Sequence, residues 1–295
     1  RRAATLGDVE QLRFWRRQCI PNFWRVARLS DHFNTALVTG VSSGLGLAFA
    51  RMLLAEGVTV VGVSRHPDIP EAPVGFRPWP LDLSDSAALA PALDQIFAAH
   101  PEIDLVINNA GFGVLSHLEA MTAQAIHAQY AVMLSAPTMI SARAIQAFKA
   151  RSIRGCLVNV SSLAVELPLP LMPIYNASKA ALSGLSESLI LDACGDAVGY
   201  RVIDFRPGDF NTNFAERMVG RIEWNGVDLR AVMDRHHAQA PGVERAVKGL
   251  RKALLGKRSG RVRVGDFFQA RLAPFGPRLL PAHWIRALIR WYYRN

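Results

Sequence analysis

Short apolar runs alternate with longer segments of helical periodicity from residue 35 to about residue 264. Ala36-Leu37-Val38 opens the series as a buried strand, followed by Thr39-Gly40-Val41-Ser42-Ser43-Gly44-Leu45-Gly46 and a helical stretch that Gly57 ends. Val58 to Val63 predict a second strand. A proline-rich loop from His66 to Pro80 leads to Leu81-Asp82-Leu83, after which Ser84 or Asp85 can cap a helix through Phe97. Asp104 to Ile107 predict a strand ending in Asn108-Asn109-Ala110-Gly111, and a long helix should cover about 123–150. Cys156 to Val160 predict the next strand, then comes the helix of Tyr175, then a strand from Tyr200 to Phe205 that ends at Arg206-Pro207-Gly208. Strands alternating with helices predict an α/β fold, a doubly wound parallel sheet with helices on both faces.

Beyond Gly208 the pattern loosens through Asn211 to Gln239, where a substrate lid would be inserted. Glu244 to Leu255 then predict a helix and Arg261 to Val264 a short last strand. The expected organisation is a basic aromatic extension over 1–34, helical in part, one main domain over 35–266 with a lid at about 209–240, and a basic amphipathic tail over 267–295. With 295 residues, half of them hydrophobic, one large core is expected.

Charge adds a question about partners. The formal net charge is +10, concentrated at the ends, with Arg1, Arg2, Arg13, Arg16, Arg17, Arg25 and Arg28 before residue 30 and Lys252, Lys257, Arg258, Arg261 and Arg263 near the other terminus. Such ends suit anionic lipid or an acidic partner, and equally a solvated basic surface. Nucleic acid is not expected, because the aromatic residues form no stacking platform on a recognisable module. No run approaches the ~18 apolar residues of a membrane span, and the arginine-interrupted N-terminus lacks the apolar core of a secretory signal. Residue 1 is not methionine, so the coding sequence can begin upstream. Cys19, Cys156 and Cys194 are odd in number and widely spaced, which suggests neither a disulfide framework nor a metal cluster. A reducing, cytoplasmic setting fits, with membrane association through the basic ends left open.

The glycine-rich turn lies where a doubly wound sheet binds phosphate, beyond a strand and at a helix N-terminus. Gly40 and Gly44 permit the turn and close approach of a pyrophosphate, while Gly46 lets the helix pack against the strand. At the end of the second strand, Val63-Ser64-Arg65 offers no carboxylate to a ribose 2′-hydroxyl. Arg65 could pair instead with a 2′-phosphate, so NADP(H) is expected over NAD(H).

Tyr175 and Lys179 are four residues apart in Tyr175-Asn176-Ala177-Ser178-Lys179, a spacing that puts both on one helix face. A cation beside the phenol should lower its pKa and fit Tyr175 for proton exchange with a carbonyl or hydroxyl oxygen. Ser162, thirteen residues earlier, could hold that same oxygen. Taken alone, the pair reads equally as a solvated surface pair.

Together these residues resemble the short-chain dehydrogenase/reductase family over roughly residues 35–265. Its Thr-Gly-x-x-x-Gly-x-Gly is Thr39 to Gly46, with Ser42, Ser43 and Leu45 inside the turn. Its adenine-contacting aspartate is Asp82, beside Leu83, and its Asn-Asn-Ala-Gly is Asn108 to Gly111, with Asn109 and Ala110 at the cofactor. Its Pro-Gly segment and following threonine fall on Pro207, Gly208 and Thr212, against the nicotinamide carboxamide. The resemblance implies a Rossmann-type sheet and a dimer or tetramer. It implies catalysis by Ser162, Tyr175 and Lys179, with Tyr175 as acid or base, Lys179 on the nicotinamide ribose and Ser162 polarising the carbonyl. Hydride transfer makes NADPH-dependent reduction of a ketone or aldehyde, or the reverse alcohol oxidation, the expected activity.

One position departs from the family. Where an asparagine usually holds a water linking the lysine to solvent, this chain reads Ala131-Val132-Met133-Leu134, leaving Ser135 or Tyr130 to replace it. A protein that binds NADP without turnover is the alternative that Met133 raises. The loop from Leu163 to Ile174, apolar and stiffened by Pro168, Pro170 and Pro173, should wall a hydrophobic substrate, or else pack against a neighbouring element.

Overall fold

The computed structural model describes residues 27–69, 73–196, 199–212, 214, 218–220, 222–224, 226–267, 269–270 and 275–293. Of the expected extension over 1–34, residues 1–26, with Cys19, lie outside the described residues, and the rest includes one short helical turn at Leu29–Asp31.

The strands are β1 (Thr35–Thr39), β2 (Thr59–Ser64), β3 (Phe76–Pro80), β4 (Ile103–Asn108), β5 (Cys156–Val160), β6 (Arg201–Pro207), a short hairpin β7 (Glu223–Trp224) with β8 (Val227–Asp228), and β9 (Gly260–Val264). The helices are α1 (Gly44–Ala55), α2 (Ser86–Ala99), α3 (Ala123–Tyr130), α4 (Ala136–Ala150), α5 (Pro173–Cys194), α6 (Leu229–Gln239), α7 (Val243–Leu255), α8 (Gly276–Leu279) and α9 (Ala282–Tyr292). Seven strands form one parallel sheet in the order β3-β2-β1-β4-β5-β6-β9. Successive residues of β1 point to opposite faces: Ala36 and Val38 pack with Phe49 of α1 and Leu250 of α7, while Leu37 packs with Ile96 of α2 and Ile140 of α4. Both faces are therefore covered, which is why the strands read as continuous apolar runs.

The strand order reverses between β1 and β4, so the loops after these two parallel strands diverge and open a crevice. Thr39 ties the crevice together. Its hydroxyl accepts from the Asn109 and Ala110 amides at 2.9 and 3.0 Å, and its carbonyl accepts from Asn109 Nδ2 at 2.9 Å.

Two elements differ from the sequence expectation. The segment read as a proline-rich loop contains β3, a half-exposed strand paired with β2. An edge strand tolerates Pro78 and Pro80 because only one side of it needs ladder donors. The long helix expected over 123–150 is interrupted by a π-helical turn at Ala131–Ser135. Pro137 has no N–H for the Met133 carbonyl, and the ladder shifts so that the Ala136 amide donates to Ala131 instead. Asp85, not Ser84, caps α2, accepting from the Ala87 and Ala88 amides at 3.0 Å.

Candidate active site

Gly40 sets the first boundary of the crevice. Its φ of +75° is left-handed, and a Cβ there would stand 2.9 Å from Asn109 Nδ2. Gly46, on the first turn of α1, is tighter still, since a Cβ would lie 2.2 Å from the Gly40 carbonyl oxygen. Because both neighbours are fixed by Thr39, Gly46→Ala is expected to push α1 off β1, costing about 1–3 kcal/mol and most nucleotide affinity. Thermal denaturation and NADPH titration of the variant check this.

One cavity of about 1220 Å³ runs from this turn along the strand ends. That exceeds the ~300–1,000 Å³ of a site for one small ligand, leaving room for a dinucleotide and a second molecule. Gly40, Ser42, Ser43, Gly44, Leu45, Ser64, Arg65, Asp82, Leu83, Asn109, Ala110, Gly111, Ser162, Tyr175, Lys179, Pro207, Gly208 and Thr212 line it. Thr39 and Gly46 stand behind the lining. Near the β2 end, the Ser64 hydroxyl is buried without a hydrogen-bond partner beside Arg65. A hydroxyl donor next to a guanidinium fits a phosphate. Asp82 lies close by; backbone donation from the Ser84 amide and the charge of Arg65 hold its carboxyl below the usual range.

Tyr175 and Lys179 lie on the buried face of α5, which excludes a solvated surface pair. The Tyr175 phenol and the Ser162 hydroxyl line the same stretch of the cavity, where burial raises the phenol pKa more than the influence of Ser162 lowers it. Ser162 in turn accepts from the Ala164 amide at 3.0 Å, capping the tight turn Leu163–Val165. The expected lowering of the phenol pKa does not occur in this state. Burial pushes Tyr175 up to about 12, and Lys179 donates not to the phenol but to the Val160 carbonyl at 2.7 Å, its Nζ 5.9 Å from the Tyr175 ring centre. Tyr175 is therefore a neutral phenol near pH 7, suited to give a proton.

Burial brings the Lys179 ammonium down to about 8, opposed by the charge of Asp204. The ammonium thus destabilises the fold fully below pH 8, and that cost fades as pH rises from about 8 towards the ordinary 10.5. Relative to a Lys179→Met variant, the parent is expected to gain roughly 3 kcal/mol across that window. Urea unfolding of both proteins at pH 7 and pH 10.5 measures the difference, and the pH-dependent part isolates ionisation from the lost bond to Val160.

Met133 is fully buried on the π turn. A Cβ on Gly111 would meet both Met133 Sδ and Lys179 Nζ, at 3.4 and 3.5 Å, so a thioether occupies the lysine's surroundings. Ser135, expected as a substitute, is exposed, and Tyr130 is half-buried.

The loop after Ser162 is held from two sides. Asn176 clasps it, accepting from the Leu169 amide at 3.1 Å and donating to the Leu169 carbonyl at 2.8 Å. Below it, Glu166 accepts from Arg206 at 2.6 Å and from Arg263 of β9 at 2.8 Å, while Arg206 donates to Asp204 at 2.8 Å. Asp204 also accepts from Ser161 and Ser183. Leu163, Ala164, Leu167 and Leu169 thereby become one apolar wall of the cavity.

The opposite wall was not foreseen as a set. Phe214 stands 5.8 Å from the Tyr175 ring, and Met218 and Met233 lie beside it. His236 of α6 packs against Tyr292 at 4.5 Å between ring centres, and burial holds its pKa below the ordinary value. Gln269 fixes the turn after β6, donating to Asp209 Oδ2 at 2.7 Å and accepting from the Asp209 amide at 3.1 Å. From the sequence, Trp284, Leu288 and Trp291 of the tail could fold back over the pocket or onto a neighbouring subunit; Leu288 and Trp291 do line the cavity, and Trp284 does not.

A family model for short chain dehydrogenase matches residues 34–221. The chain belongs to the short chain dehydrogenase family. It is 33% identical over 180 residues to a 3-ketodihydrosphingosine reductase of Bacteroides thetaiotaomicron, covering 61% of this chain and 65% of that protein. The chain thus spans just under two thirds of that relative's length. Among solved structures it resembles a short-chain dehydrogenase from Streptomyces avermitilis, with a TM-score of 0.74 and 25% identity, covering 90% of this chain and 97% of the other. It also resembles a metagenomic short-chain oxidoreductase solved with NADP, at 34% identity and a TM-score of 0.54, covering 60% of this chain and 82% of the other.

Proposed function

We propose that this protein is an NADPH-dependent reductase of a hydrophobic, lipid-like ketone or aldehyde, with the reverse alcohol oxidation using the same groups. One observation carries the reading: a buried Tyr175, lining one cavity with Ser162 and Lys179, stands where the polar, glycine-bounded end of that cavity meets its apolar end. When bound, the cofactor supplies hydride to the carbonyl carbon. Gly40, Gly44 and the amides of the turn hold its pyrophosphate, and Ser64 and Arg65 take the 2′-phosphate. Ser162 holds the substrate oxygen while Tyr175 gives it a proton. Lys179 presents a cation within the same pocket and steadies the phenolate left behind. Residues 209–240 act as the substrate lid of a main domain over 35–266.

The similarity to a 3-ketodihydrosphingosine reductase supports a long-chain ketone, and the NADP in the metagenomic neighbour supports the phosphorylated cofactor. A cofactor-binding protein without turnover is the weaker reading, because Ser162, Tyr175 and Lys179 are all retained in one pocket. Steady-state oxidation of NADPH and NADH with ketones of increasing chain length tests the proposal. Preference for NADPH and a KM that falls with chain length are expected. Absence of turnover above a Tyr175→Phe control across the panel sinks it.

A further inference from the structure

The inner side of α9 is spent on the cavity: Ile285 is buried and Ile289 and Tyr292 pack around Tyr293 and Met233. Its outer side is apolar too. Trp284, Leu288 and Trp291, at i, i+4 and i+7, form one stripe, with Trp284 61% and Trp291 63% exposed. Leu279, Leu280 and Phe275 extend the exposed apolar surface before the helix begins. Arg286 and Arg290 are exposed on the flank of α9. Leu288 and Trp291 also line the cavity, so the stripe borders its mouth.

We infer that α9 seats the protein on an anionic lipid bilayer, with the cavity mouth turned to the membrane. Charge distinguishes this partner from a second copy. Arg286 and Arg290 flank the stripe and α9 carries no aspartate or glutamate, so a two-fold contact across this face would set uncompensated positive charge against itself. An anionic surface neutralises that charge, and an amphipathic helix bearing tryptophan, leucine and arginine suits the headgroup boundary. Among the described residues no helix is long and apolar enough to cross a membrane, so α9 lies on the surface. Resting on the reductase reading above, this placement lets an apolar ketone pass from lipid into the cavity without crossing water.

Flotation of the full chain with phosphatidylcholine vesicles, with and without a quarter phosphatidylglycerol, tests the seating without any turnover. Flotation with the anionic vesicles is expected, weakened about tenfold without the anionic lipid or at 0.5 M salt. The double substitution Trp284→Ser and Arg286→Glu, at two positions that do not line the cavity, is expected to reduce flotation at least tenfold. Its melting temperature and NADPH affinity should match the parent, which separates lost seating from misfolding. Failure of the parent to float overturns the inference, as does equal flotation of the variant. A dimer that the double substitution dissociates would assign the face to a second copy instead. Lost NADPH turnover with flotation intact would fault the reductase reading alone.

Discussion

Tyr175→Phe is expected to lower turnover about a thousandfold while leaving NADPH affinity within a factor of about three. The size follows from the role, since a positioned general acid contributes about 10²–10⁴-fold. The phenylalanine ring keeps the packing against Phe214 and loses only the hydroxyl that meets Ser162. A fall in kcat with unchanged cofactor binding, read by stopped-flow and fluorescence titration, identifies a proton donor. A comparable loss of NADPH affinity would mean instead that Tyr175 works chiefly by holding the cofactor. The direction of pH dependence is also set. With the phenol up at about 12, the reducing direction should not lose its donor between pH 6 and about 9, and any activity change there should follow Lys179 at about 8.

Arg65→Ala is expected to weaken NADPH about 10- to 100-fold, the effect of removing a hydrogen bond to a charged group worth about 1.5–3 kcal/mol. NADH affinity should change less than twofold, because NADH carries no 2′-phosphate. The neighbouring Ser64 hydroxyl, buried and unpaired in the protein, gives a second handle, and Ser64→Ala should weaken NADPH in the same sense by a smaller factor. Calorimetric titration with both cofactors decides. Equal loss for NADPH and NADH would place Arg65 in general architecture rather than at the phosphate.

The glycine turn, the Asn109 loop and the Tyr175 helix were legible in the sequence because each is a local device. A left-handed Gly40 and an i, i+4 pair are each written within a few residues, whereas the hold of Thr39 on the Asn109 and Ala110 amides spans about seventy residues and needed the fold to show it. β3 was hidden by Pro78 and Pro80, whose cost depends on whether the strand is an edge, and strand order is not a local property. The π turn was hidden because Pro137 acts on a carbonyl four residues earlier inside a strongly helical pattern. The phenol of Tyr175 was assigned the wrong direction for another reason. Spacing placed Lys179 on the same face, but it did not show that the ammonium would turn to Val160 and that burial would dominate. The far wall, from Phe214 to Tyr293, joins residues nearly eighty apart, and although the tail is visibly amphipathic only the packing of α6 and α9 brings them to one cavity.

The clamp on Glu166 orders events during synthesis. Its partners Arg206 and Arg263 come 40 and 97 residues later in the chain. A nascent chain that has emerged only as far as α7 already holds the six strands from β3 to β6 and every residue assigned to chemistry here. It still lacks one of the two arginines that fasten the loop behind Ser162. Competence for catalysis should therefore lag nucleotide binding during synthesis, and in the full chain Arg263→Met would lower activity far more than nucleotide affinity.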